Sequence, residues 1–157
     1  MSRFLPDNFD ASKPLALIAG KGTYPILLAE RARSAGIAVR LIELGGETSE
    51  KLINTFPDHE RSAVKVGQVG KLLKELKKFN AIIIDPPRSG ARSQFLNITL
   101  SKVPIVISIS CNINTFVRDA KILIENNYQL KWVQPIDQFL FSPHVEIVSL
   151  FELNLVN

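Results

Sequence analysis

The sequence predicts a single α/β domain with a doubly wound sheet, on three observations. Short apolar runs alternate five times with helix-type segments. The run Ala81-Ile82-Ile83-Ile84 is continuously apolar and largely β-branched, as in strands covered on both faces. Two strand-type segments then close the chain with no helix between them. The 157 residues are the size of one domain, enough to bury about 70% of the surface exposed by the unfolded chain. With 46% hydrophobic and 22% charged residues, the composition excludes a disordered, collagenous or low-complexity protein.

Residues 1–13, polar and ending before Pro14, read as a leader, and 14–157 as the folded domain. Leu15 to Ala19 is a short buried strand that ends at Gly20-Lys21-Gly22. Thr23 is placed to cap a helix from Tyr24 to about Ser34, with Pro25 tolerated in its first turn and Gly36 marking its end. Ile37 to Leu44 is the second strand, followed after Gly45-Gly46 by a weaker helix over Ser49 to Thr55. A strand at Ala63 to Val66 leads to a helix from about Gln68 to Phe79, whose Lys71, Lys74, Lys77 and Lys78 fall on the wet side. Ala81 to Asp85 is the fourth strand and is stopped by Pro86-Pro87. A helix near Ala91 to Leu100, a strand from Pro104 to Ser110 and a helix over Asn114 to Asn126 follow. Strands near Gln129 to Ile136 and Val145 to Leu153 finish the chain.

That final pair discriminates between related folds. Nucleotide-binding Rossmann domains keep alternating strand and helix, whereas class I methyltransferases close their sheet with an antiparallel last strand. The expectation is therefore a Rossmann-like, class I methyltransferase-type sheet of seven strands, although an analogous fold does not establish an activity.

Charge and cysteine usage narrow the partners. A net charge of +4 is mildly favourable for an anionic ligand but well short of charge-driven nucleic-acid binding. The lone cysteine, Cys111, has no intramolecular disulfide partner and cannot by itself form a thiolate metal site. It is either a small buried apolar residue or a reactive thiol. No apolar run has the length of a membrane span and the start lacks a secretory stretch, so a cytoplasmic protein is expected.

Four blocks in the second half carry a specific resemblance. Asp85-Pro86-Pro87-Arg88-Ser89-Gly90-Ala91, then Ser110-Cys111-Asn112 with Thr115, Arg118 and Asp119, then Asp137-Gln138-Phe139, then His144-Val145-Glu146 stand in one order, each at a strand end or helix start. From Ala81 onward the chain resembles the C-terminal part of the RNA uracil-5-methyltransferases. Residues 15–79 are instead similar to the N-terminal domain of the UDP-2,3-diacylglucosamine pyrophosphatases of lipid A synthesis. That likeness rests on Leu17-Ile18-Ala19-Gly20-Lys21-Gly22 with Pro25 and Ala29, on Gly46-Glu47-Thr48, and on Val66-Gly67-Gln68-Val69-Gly70-Lys71-Leu72. The chain reads as a hybrid joined near Asn80, with a pyrophosphatase-like half at 14–80 and a methyltransferase-like half at 81–157. A natural fusion and an engineered recombination would look the same.

The methyltransferase resemblance implies a chemistry. C5 of a neutral uracil is a poor nucleophile until addition at C6 creates an enolate, so the family uses a cysteine at C6. Cys111 matches that nucleophile and Glu146 the base that removes the C5 proton. Asp85, at the carboxyl end of the central strand, matches a group beside the target base or cofactor. The implied methyl donor is S-adenosylmethionine and the implied substrate a uridine in RNA. From spacing alone, Gly20 and Gly22 permit close backbone approach of a ligand, and Glu43, about twenty residues on, is placed to accept from ribose hydroxyls. Asp85 and Pro86 complete the expected cofactor set. A ligand-free turn explains the short glycine signal equally well, since the family's own cofactor loop, with an aspartate and a cysteine-glycine pair, has no counterpart. The family's RNA-binding barrel, its central domain and any iron-sulfur cysteines also have no counterpart, so a weak substrate grip is expected. Tyr24, Phe95, Phe116, Trp132, Phe139 and Phe141 could stack on bases, but core positions account for most of them. Two further functions stand beside the enzyme: a module binding a nucleotide or UDP-sugar, and a hybrid scaffold without activity.

Overall fold

In the computed structural model, which describes residues 6–65, 68–137 and 145–154, five apolar runs form parallel strands. These are β1 (Leu15–Ala19), β2 (Val39–Leu44), β3 (Arg61–Val64), β4 (Ala81–Asp85) and β5 (Ile105–Ser110). β6 (Tyr128–Ile136) and β7 (Glu146–Leu153) complete a seven-stranded sheet of order β3-β2-β1-β4-β5-β7-β6. β7 runs antiparallel to both β5 and β6, the closure expected from the absence of a helix between the last two strands.

Helices cover both faces because strand side chains alternate and each face must be buried. On one face, α1 (Tyr24–Ser34) and α2 (Glu50–Ile53) place Ile26, Ala29 and Leu52 against Leu17, Leu41, Ile83 and Ile109. On the other, α3 (Val69–Leu76), α4 (Arg92–Ser101) and α5 (Ile113–Glu125) pack Leu72, Leu76, Phe95, Ile98 and Leu123 against Ile18, Ile42, Ile84 and Val106. The Tyr128 hydroxyl donates to the Val103 carbonyl at 2.8 Å, which ties the start of β6 to the chain entering β5. No helix among the described residues is long and apolar enough to cross a membrane.

Several element ends differ from the sequence expectation, each for a local reason. β3 occupies Arg61–Val64 rather than 63–66, because Arg61 and Ser62 pair with Leu41 and Ile42 despite their polar side chains. It is an edge strand, where polar residues face solvent at little cost. β2 starts two residues late, although the Ala38 carbonyl already accepts the Leu15 N–H at 2.8 Å. Thr23 occupies the N-cap of α1 but makes no side-chain capping bond, because its backbone is already helical at φ −95°, ψ −25°. Ser49, extended at φ −71°, ψ 142°, caps α2 instead by accepting the Leu52 N–H at 3.2 Å.

Candidate active site

The strand order reverses between β1 and β4, and open α/β sheets place their ligand crevice outside the carboxyl ends at such a point. A cavity of about 480 Å3 lies there, walled by Gly20 after β1, Leu44 and Glu47 after β2, Asp85-Pro86-Pro87 after β4, and Ser93 and Gln94 on α4. Its rim is braced by backbone bonds. The Gly20 N–H donates to the Asp85 carbonyl at 3.1 Å, and the Gly20 carbonyl accepts from the Ser49 N–H at 3.2 Å. Thr48, buried, donates its hydroxyl to the Ala19 carbonyl and accepts the Leu44 N–H, both at 3.0 Å. Gly20 therefore offers the cavity a wall without a side chain rather than a free donor.

Of the five residues expected around a cofactor, Gly20, Asp85 and Pro86 line this cavity; Gly22 and Glu43 are not among its walls. Glu43 lies 3.9 Å from Arg61 on the neighbouring strand. Leu44, the last residue of β2, lines the cavity from this strand. The acid that lines the cavity from this connection is Glu47, in the turn after β2, a position the strand-end spacing passed over. Gly22 serves the turn itself, with φ +138° and no heavy atom within 4 Å of an added Cβ.

Asp85, Cys111 and Glu146 come together at the carboxyl edge of the parallel strands, and of the three Asp85 alone is among the cavity walls. They stand at the carboxyl ends of β4 and β5 and at the start of β7, three strands adjacent in the sheet. The β5–β7 register ends at Ser110 opposite Ile147, so one further step sets Cys111 opposite Glu146. Alternation from Ile83, Ile109 and Val148 puts all three on the face covered by α1 and α2. Cys111 is half-buried, not sealed in the core. Burial and then the Glu146 carboxylate push its thiol above the ordinary value, with Asp85 adding to the rise and Arg88 opposing it. The thiol is protonated at neutral pH and needs a base beside it to react. Burial, reinforced by Glu146, pushes Asp85 up to about 7.

This has a stability consequence. Between about pH 4 and 7 the folded state keeps an Asp85 proton that the unfolded chain releases, so stability falls as pH rises through that window and the loss is complete above it. Asp85→Asn is expected to be more stable than the parent at pH 8 and nearly equal to it at pH 4. Urea midpoints at the two pH values check this, and equal midpoints at pH 8 would contradict the burial of the charge.

The loop from Pro86 to Ala91 is held by the first turns of α5. Asn112, extended at the N-cap, accepts the Asn114 N–H at 3.0 Å and donates its amide to the Arg88 carbonyl at 3.3 Å. The Thr115 hydroxyl reaches the same carbonyl at 3.3 Å. Asp119, 3% exposed, accepts the Ala91 N–H at 2.8 Å and the Arg118 guanidinium at 2.8 Å, while Arg118 also donates to the Ser89 carbonyl at 3.1 Å. A signal for Asp119 existed in the sequence, as an acid in the apolar stripe that contains Phe116, Ala120 and Leu123. Among the aromatic residues considered for stacking, Phe95 is fully buried, and Phe116 and Trp132 pack against the core. Tyr24 is exposed. Phe139, Phe141 and His144 lie outside the described residues.

Comparison with known proteins finds a family match in the first half and RNA methyltransferase relatives that align along nearly the whole chain. Residues 14–83 match the LpxI N-terminal domain family. An uncharacterized RNA methyltransferase of Caulobacter vibrioides is 37% identical over 90% of this chain, which covers 34% of that protein. One of Agrobacterium fabrum is 34% identical over 97% of this chain, covering 37% of its own length. One of Mesorhizobium japonicum is 52% identical over 50% of the chain. The chain thus spans about a third of the first and second of these relatives. Among solved structures, the B. subtilis m1A22 tRNA methyltransferase TrmK superposes with a TM-score of 0.58 at 12% identity, covering 92% of this chain and 61% of TrmK. A Streptococcus pneumoniae protein provisionally assigned to the same activity, in complex with S-adenosyl-L-methionine, gives 0.56 at 15% identity, covering 90% of this chain and 67% of its own. At such identities the likeness is one of fold, and the fold is that of the Rossmann-like methyltransferases.

Proposed function

We propose that this chain is the catalytic part of an S-adenosylmethionine-dependent RNA methyltransferase acting at C5 of uracil, with Cys111 as nucleophile. The observation that carries this reading is the convergence of Cys111, Asp85 and Glu146 at adjacent strand ends, with Asp85 also in the wall of a ligand-sized cavity. About 480 Å3 falls within the roughly 300–1,000 Å3 range of small-molecule sites. The donor set fits the cofactor: the Asp85 and Glu47 carboxylates suit its cationic and hydroxyl groups, and Gly20 leaves its wall open. When bound, S-adenosylmethionine supplies an electrophilic methyl group.

The chain's own residues divide the remaining work. Asp85, half-ionised near neutrality, accepts the Cys111 proton as sulfur bonds to C6, and the C5=C6 electron pair moves toward the C4 carbonyl oxygen. C5 is then nucleophilic. After C5 carries the methyl group, Glu146 takes the C5 proton. The electron pair left behind re-forms the C5=C6 bond and expels the Cys111 sulfur, which recovers its proton from Asp85. Arg88, beside the thiol, and the net charge of +4 suit the polyanionic substrate.

A second reading follows from the match of residues 14–83 to the LpxI N-terminal domain: a module that binds a UDP-sugar without turnover. Calorimetric titration with S-adenosylmethionine, S-adenosylhomocysteine and a UDP-glucosamine derivative separates the two. Heat with the first pair alone, together with label transfer to uridine-containing RNA, is the expected result. Heat with the UDP ligand alone favours the second reading, and heat with none of them overturns both.

A further inference from the structure

We infer that Asp119 is a positioning residue, which works with Arg118 from α5 to hold the 86–91 loop so that Asp85 and Cys111 keep one fixed spacing. This rests on the methyltransferase reading for its consequence, and on geometry for its substance. Asp85 ends β4 and Cys111 follows β5, and each of these neighbouring strands leads into its own connection. Cys111 enters α5 directly through Asn112. The loop after Asp85 makes four bonds to the first two turns of that helix: Arg88 to Asn112 and Thr115, Ser89 to Arg118, and Ala91 to Asp119.

Asp119 is the centre of the clamp. Its two carboxylate oxygens have separate partners, Oδ2 taking the Ala91 N–H and Oδ1 the Arg118 guanidinium. A buried carboxylate is retained only where such partners compensate its lost hydration. Arg118 is in turn fixed on Ser89, so loop and helix are locked through one ion pair. The clamped segment is also cavity wall, since Ser89, Gly90, Ala91 and Arg118 line the cavity with Asp85. Asp119 touches neither Asp85 nor Cys111 and acts through the loop.

Asp119→Asn is nearly isosteric and removes the charge. In the full chain, hydrogen exchange at Ala91 is expected to quicken by about tenfold or more. The rate of adduct formation between Cys111 and 5-fluorouridine RNA, at saturating RNA, is expected to fall by about tenfold or more, with RNA affinity unchanged. The pH profile of Cys111 alkylation by iodoacetamide shifts as well, because the released loop carries Arg88 and adjoins Asp85. Thr115→Val, which leaves the ion pair intact, gives the same changes at smaller size and keeps the test open if Asp119→Asn does not fold. An alkylation profile superimposable on the parent's, or a rate loss no larger than the unfolded fraction, overturns the inference. If the parent forms no adduct, the methyltransferase reading fails, and the exchange and alkylation profiles still decide the clamp.

Discussion

RNA carrying 5-fluorouridine is expected to become covalently attached to this protein at Cys111, and the Cys111→Ala variant to lose the attachment entirely while remaining folded. Fluorine at C5 cannot be removed as a proton, so an attacked and methylated base stays on sulfur. The thiol is half-buried at a strand end, and truncating it removes about 1 kcal/mol of packing at most, too little to unfold a domain of this size. Glu146→Gln has the opposite phenotype. It preserves shape but removes the base, which slows elimination by roughly 10²–10⁴-fold and accumulates the adduct on ordinary uridine. The base sets the pH dependence: attack by Cys111 accelerates as pH rises through about 7, because Asp85 must be ionised to accept the thiol proton. Denaturing gels with labelled RNA and intact-mass spectra read both variants. An adduct that survives Cys111→Ala would falsify the assignment of the nucleophile.

The sequence was legible where physics is local. Leu15–Ala19 and Ala81–Asp85 are apolar runs stopped by Gly20 and by Pro86-Pro87, and both strands end where those residues require. β3 was misplaced by two residues because an edge strand needs apolar side chains on few positions, so Arg61 and Ser62 carried no strand signal. The three-residue 3-10 turn Asp58–Glu60 carried no periodicity to detect. In the site, Cys111, Asp85 and Glu146 were singled out by resemblance, and the topology sets all three at adjacent strand ends. Glu43 is not among the cavity walls, because spacing counts residues along a strand but does not say which of them border the cavity. Glu47 reaches the cavity from a turn and Asp119 bonds Ala91 across the fold, placements that depend on partners far away in sequence.

The clamp also gives the second large effect, at Gly90. Its φ of +79° lies in the left-handed region, and an added Cβ would stand 2.5 Å from the Asp119 carboxylate, 3.1 Å from the Thr115 Cβ, and in overlap with the Arg118 guanidinium. Gly36 has the same φ of +79° with no heavy atom within 4 Å of its Cβ position, so it serves as an internal control. Gly36→Ala is expected to lose only the backbone term, about 1–2 kcal/mol. Gly90→Ala adds about 1–3 kcal/mol of overpacking, for a total of about 2–5 kcal/mol. At this chain length that is a fall in Tm of about 4–20 °C, against about 2–8 °C for Gly36→Ala. The two variants also separate stability from function. Below its own Tm, Gly36→Ala retains the loop and forms the Cys111 adduct at the parental rate. Gly90→Ala forces apart the Ala91–Asp119 and Ser89–Arg118 bonds, so its folded fraction loses adduct formation too. Equal melting temperatures for the two variants would mean that the helix α5 yields freely to the new methyl group, and that the loop is not clamped.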